Sequence, residues 1–126
     1  MTQVPIEELL ARADVISLNL SLSDETRGFL DAARVARIKP GAILVNTARG
    51  ALVDEAALID ALASGRIGRA GLDVFHAEPI KPDHPLARLD NVTLSPHAAF
   101  RTPEASENLL RRALDIVRKV QGLPAV

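Results

Sequence analysis

Cysteine is absent from the 126-residue chain, which excludes disulfides, thiolate zinc sites and a Cys nucleophile. Tryptophan and tyrosine are absent as well, and phenylalanine occurs only three times. Almost nothing is therefore available to stack on nucleobases, and a net charge of -1 gives no general attraction to nucleic acid or an anionic membrane surface. No apolar run approaches the ~20 residues of a membrane span, and Met1-Thr2-Gln3-Val4-Pro5 lacks the basic and apolar regions of a signal peptide. The expectation is a cytoplasmic protein that binds neither nucleic acid nor membrane. Also missing is any G-x-G-x-x-G loop. Gly65-x-x-Gly68-x-x-Gly71 has the wrong first spacing and leads into a strand instead of opening a helix.

What is present is an ordinary globular composition, 48% apolar and 25% charged, of a size for one domain and too short for a two-domain enzyme. Local patterns alternate between helix and strand. Pro5 to Ala13 reads as a short amphipathic helix with Ile6, Leu9, Leu10 and Ala13 on one side, ended by Asp14. Val15 to Leu20 reads as a strand entering a polar loop. Asp31 to Ile38 is the next helix, with Ala33, Val35 and Ile38 available for burial and Lys39-Pro40-Gly41 as its stop. Ala42 to Asn46 is continuously apolar, as expected of a strand covered on both faces.

A helix then begins near Val53-Asp54-Glu55 and runs through Leu58, Ile59 and Leu62 to Gly65. A strand from Arg69 to Val74 follows, then a proline-rich loop from Phe75 to Asp90, then a short strand, Val92 to Ser95. Pro103 to Val120 closes the chain with Ala105, Leu109, Leu110, Ala113, Ile116, Val117 and Val120 at helical spacing. This order predicts an α/β fold, a Rossmann-like and mainly parallel sheet with flanking helices. The carboxyl ends of strands in such a sheet are where ligands bind. Asn46-Thr47-Ala48-Arg49-Gly50 follows one predicted strand, and Gly71-Leu72-Asp73-Val74-Phe75 spans the end of another and leads into Ala77-Glu78-Pro79. Ser95-Pro96-His97 closes a third. An Arg to hold a carboxylate, a His to move a proton and a Glu to tune that His suit the reduction of a 2-keto acid.

Leu44 to Gly50, Val53-Asp54-Glu55 with Leu58, Gly71 to Pro79, and Asn91-Val92 to Ser95-Pro96-His97, in that order, closely resemble the D-isomer-specific 2-hydroxyacid dehydrogenases. The resemblance runs from about Leu9 to Val120. It implies the second half of a dinucleotide-binding domain, an incomplete Rossmann-like unit lacking the glycine-rich first half and the substrate domain. NAD or NADP is the implied cofactor and a small 2-keto or 2-hydroxy acid the implied substrate. Carried over by residue, Arg49 would bind the substrate carboxylate and carbonyl oxygen, and His97 would protonate that oxygen or deprotonate the alcohol. Glu78 would pair with His97 and favour the imidazolium. Asp73 would accept a hydrogen bond from the nicotinamide carboxamide, and Thr47, Ala48 and Arg49 would line the cofactor. In the related formate dehydrogenases the Glu78 position is Gln, so Glu favours a hydroxy acid.

Each residue has a plainer reading. Arg49 could be a solvated cation, Glu78 a surface carboxylate, His97 a turn residue and Asp73 a strand-end cap; the ordered set favours the site. His76 and His84 read as exposed and inert, and the three histidines lack metal-ligand spacing, so no metal is expected. Asp54-Glu55 is explained by a helix start. Two departures from the family pattern stand out: Asn19-Leu20-Ser21-Leu22-Ser23 after the first strand, and Ala98-Ala99-Phe100 after the His. The leading expectation is part of a dehydrogenase that is inactive by itself. The alternative is a non-catalytic assembly module, forming a homo-oligomer or associating with a missing half, because Val15 to Leu20 would form an open sheet edge.

Overall fold

The computed structural model describes residues 2–124. Four strands, β1 (Val15–Leu18), β2 (Ile43–Asn46), β3 (Arg69–Leu72) and β4 (Val92–Leu94), form one parallel sheet in the order β1-β2-β3-β4. The register aligns Leu18, Asn46, Leu72 and Leu94 across it, so the loops that leave these residues share one edge. Helices α1 (Ile6–Arg12), α2 (Ala32–Val35) and α3 (Glu55–Ala63) accompany the sheet, and α4 (Pro103–Val120) follows it. The predicted Rossmann-like α/β sheet is therefore observed.

Several element ends differ from the sequence expectation. The first strand stops at Leu18 instead of Leu20, where the Asn19 amide turns back on the Ser17 carbonyl and hydroxyl at 3.3 and 3.1 Å. β3 and β4 stop at Leu72 and Leu94, although Asp73 N–H still donates to Asn46 O at 3.0 Å and Ser95 N–H to Leu72 O at 2.9 Å. The helix expected over Asp31 to Ile38 is a single turn. Asp31 caps it by accepting from Arg34 N–H at 2.8 Å, Val35 and Ile38 are buried, and Ala33 is exposed. Asp54 caps α3, accepting from Ala57 N–H at 3.0 Å, as its place before the helix implies.

One side of the sheet holds the core. Ile16, Leu18, Leu44, Ala70 and Leu72 point into it and meet Leu10 of α1, Val35 of α2, and Leu58, Ala61 and Leu62 of α3. Full burial of a Leu such as Leu10, Leu44 or Leu62 stabilises by ~1.5–3 kcal/mol. The opposite side is open: Val15 is 59% and Ile43 37% exposed. β2 is thus not covered on both faces, contrary to its apolar run. The reason is topological, since a strand order that advances in one direction through right-handed crossovers lays every connecting helix on the same face.

The last helix has the bounds read from its pattern, with Thr102 as N-cap accepting from Ala105 N–H at 3.1 Å. Its apolar stripe is uncovered. Leu109 and Leu110 are each 66% exposed, Ile116 65% and Val120 83%. No described helix is long and apolar enough to cross a membrane.

Candidate active site

The loop after β2 carries Thr47, Ala48 and Arg49 to the carboxyl edge. It is knitted by Asn46, which is 2% exposed. The Asn46 amide donates to Arg49 O at 2.9 Å, and its carbonyl accepts from Ala48 N–H at 3.0 Å. Arg49 itself is extended and exposed, with Nη1 donating to Ala48 O at 2.6 Å. Gly50 then packs on the neighbouring loop so closely that a Cβ would stand 2.2 Å from the Phe75 carbonyl carbon. Only glycine permits that approach, and it seats the Arg49 loop against the loop that carries Glu78.

Glu78 lies at the start of that covering loop, before a cis Glu78–Pro79 bond. One carboxylate oxygen accepts from Phe75 N–H at 2.9 Å, and the other lies 2.7 Å from His97 Nδ1. The bond to His97 comes first among the causes that hold the Glu78 carboxyl below the ordinary carboxylate range. The Phe75 amide and the charges of His97 and Arg49 act the same way, against burial. An ionised carboxylate can only accept, so His97 Nδ1 carries the proton in this bond and Nε2 is left for other work. Both side chains remain over a third exposed, His97 at 39% and Glu78 at 36%. The Phe100 ring stands edge-on to the imidazole at 6.3 Å.

Asp73 lies just past β3 and is 4% exposed. Its two oxygens accept from Ala98 N–H at 2.8 Å and Ala99 N–H at 2.9 Å. Burial pushes its pKa up, but bonds from Ser95, Ala99 and Ala98 and the nearby His97 outweigh it and hold the carboxyl below its ordinary value. Asn46 stands inside a motif that the sequence singles out, but its bracing of the Arg49 loop is not among the roles read there. His76 is exposed as expected, with Nε2 on Val53 O at 2.8 Å. His84 departs from the expectation: it is half-buried, accepts from Leu86 N–H at 3.3 Å and faces Glu55 at 3.5 Å, because it caps the short turn Pro85–Arg88 that pins the covering loop. Among the described residues no cluster of three His, Cys, Asp or Glu is arranged to hold a metal ion.

Two clefts open along this edge. A polar one of about 420 Å³ lies at the ends of β1 and β2, lined by Asn19, Ser21, Thr47, Ala48 and Arg49. A more apolar one of about 500 Å³ is bounded by Phe75, Glu78, Pro79, Ile80, Pro96 and His97. The polar cleft has the size and hydrogen-bonding groups for a nicotinamide. A dinucleotide pyrophosphate has no glycine-rich turn here on which to rest.

The sequence pattern of the D-isomer specific 2-hydroxyacid dehydrogenase NAD binding domain matches residues 1–99. The chain belongs to this family. Arg49, Asp73, Glu78 and His97 all lie within the matched stretch. A D-3-phosphoglycerate dehydrogenase of Archaeoglobus fulgidus is 44% identical over 122 residues, covering 96% of this chain and 23% of that protein. A glyoxylate reductase of Aeropyrum pernix is 47% identical over 113 residues, covering 83% and 34% respectively. Among solved structures, the TT0316 protein of Thermus thermophilus superposes with a TM-score of 0.89 at 42% identity, over 95% of this chain and 39% of that one. A D-isomer specific 2-hydroxyacid dehydrogenase of Xanthobacter autotrophicus, in complex with NADPH and MES, superposes with a TM-score of 0.77 at 40% identity, over 96% and 50%. This family member thus spans between about a quarter and a half of these relatives.

Proposed function

We propose that the chain carries the catalytic residues of a D-2-hydroxyacid dehydrogenase, interconverting a small 2-keto acid and its D-2-hydroxy acid with NAD or NADP. The 2.7 Å bond between His97 and Glu78, at the same sheet edge as Arg49, carries this reading. The nicotinamide, when bound, supplies the hydride that the carbonyl carbon receives. Arg49 presents a planar fork of donors that matches a carboxylate in bidentate fashion and fixes the keto acid in one orientation. His97, held at Nδ1, offers Nε2–H to the carbonyl oxygen in reduction, and the bare Nε2 takes the hydroxyl proton in oxidation. Glu78 stabilises the imidazolium between these events. A general acid so placed contributes ~10²–10⁴-fold. Thr47 and Ala48 line the cofactor side of the cleft.

Oxamate, an unreactive analogue of a 2-keto acid, tests the reading. Titrated into the isotope-labelled chain, it is expected to shift the Arg49 guanidinium and His97 ring signals, and Arg49→Ala is expected to abolish the response. The same chain is expected to oxidise NADH with glyoxylate, pyruvate or hydroxypyruvate little or not at all, because the sequence supplies no pyrophosphate cradle. An oxamate response that survives Arg49→Ala overturns the assignment. Robust NADH oxidation by homogeneous protein of verified mass overturns the inactivity.

A second reading, assembly with another copy of itself or with a complementary half, draws on the uncovered stripe of α4 and the open β1 edge.

A further inference from the structure

His97 has a backbone φ of 52°, in the left-handed region, and is alone in this among the described non-glycine residues. A side chain there is strained, and such a conformation persists only where the surroundings over-determine it. The surroundings converge on one group. On the far side of His97, Ala98 and Ala99 both donate their N–H to Asp73, at 2.8 and 2.9 Å. On the near side, Ser95 O accepts from His97 N–H at 3.1 Å, and Ser95 N–H donates to Leu72 O at 2.9 Å. Asp73 is itself fixed, its N–H on Asn46 O at 3.0 Å and its side chain buried at the end of β3.

We propose that Asp73 is the positioning residue for His97: by clamping the Ala98 and Ala99 amides that follow it, Asp73 holds the His97 backbone left-handed and so aims Nδ1 at Glu78. A carboxylate suits the task because it has about four lone-pair sites and no donor of its own, so both amides can converge on it without conflict. The depressed Asp73 pKa agrees, since the clamp needs the ionised form. Asp73 acts through His97 and not on the substrate. The clamp's catalytic consequence rests on the role given to His97 above; the clamp itself does not.

The test uses the whole chain with ¹⁵N-labelled histidine and reads the imidazole tautomers at neutral pH. In the wild type, neutral His97 is expected as the Nδ1–H form, the proton being held by Glu78. Asp73→Asn keeps the shape but leaves one acceptor oxygen and sets an NH₂ against the loop amides. It is expected to return His97 to the mixed tautomers of a free imidazole, while His76 and His84, anchored on Val53 and Leu86, keep their signals. A His97 signature unchanged in that variant, with His76 and His84 native, overturns the proposal. If the His76 and His84 signals show that D73N does not fold, Asp73→Glu decides, since it keeps the charge but displaces both acceptor oxygens from the Ala98 and Ala99 amides. Partial loss of the Nδ1–H form supports the clamp, and an unchanged ring overturns it. An intact His97 signature alongside absent oxamate binding would count against the proposed function and leave the clamp standing.

Discussion

Asp73 and Glu78 are two residues whose ionised forms the fold favours, and each links stability to acidity. Their folded pKa values lie below the ordinary 3.8 of Asp and 4.5 of Glu. In the interval between folded and ordinary values the unfolded chain binds more protons than the folded one, so stability falls as pH falls. The contribution is fully present above the ordinary values. It drains away as pH drops through 4.5 and then 3.8, and is gone below the folded values. Urea midpoints measured through this acid range are expected to decline, and Asp73→Asn, which has no proton to take up, to show a shallower decline. Equal slopes for the two proteins would remove Asp73 from the account. At this scale Arg49, Glu78 and His97 are legible in the sequence because their motifs are local. The His97 torsion and the closeness of Gly50 to Phe75 are not, because each depends on where a second loop lies.

The elements were legible in kind more than in extent. Helix and strand follow from period and caps, as with Asp54 ahead of α3 and Thr102 ahead of α4. Where a strand stops depends on whether its neighbour still offers a partner, and the sequence of one strand does not contain that. Burial is further from the sequence still. Ile116 of α4 lies on a more sharply amphipathic helix than Leu62 of α3, yet Leu62 is 2% exposed and Ile116 65%. Leu62→Ala is therefore expected to cost ~2–5 kcal/mol through lost contacts and a residual cavity. Ile116→Ser is expected to stay within about 0.5 kcal/mol, as for an exposed position. Chemical denaturation of the two variants separates them, and a cost for Ile116→Ser matching that of Leu62→Ala would mean that α4 is packed in solution.

At the scale of the molecule the arrangement is one-sided. The strand order sends α1, α2 and α3 to one face of the sheet, leaving Val15 and Ile43 on the other, while among the described residues β1 pairs only with β2 and so presents an edge. Leu109, Leu110, Ile116 and Val117 add a run of apolar surface on α4, each more than half exposed. Contiguous apolar surface and an unpaired edge of this kind favour association. The mass from light scattering is expected to rise above the 13.5 kDa of one chain as concentration increases. Leu109→Lys with Ile116→Lys places two charges on the α4 stripe and is expected to hold the mass near that of a single chain if α4 is the contact. If the rise persists in the double variant, the contact passes to the β1 edge or the open sheet face. A wild-type mass that stays at one chain across the whole series removes the assembly reading altogether, while the reading built on Arg49, Glu78 and His97 is untouched, because it rests on geometry within a single chain.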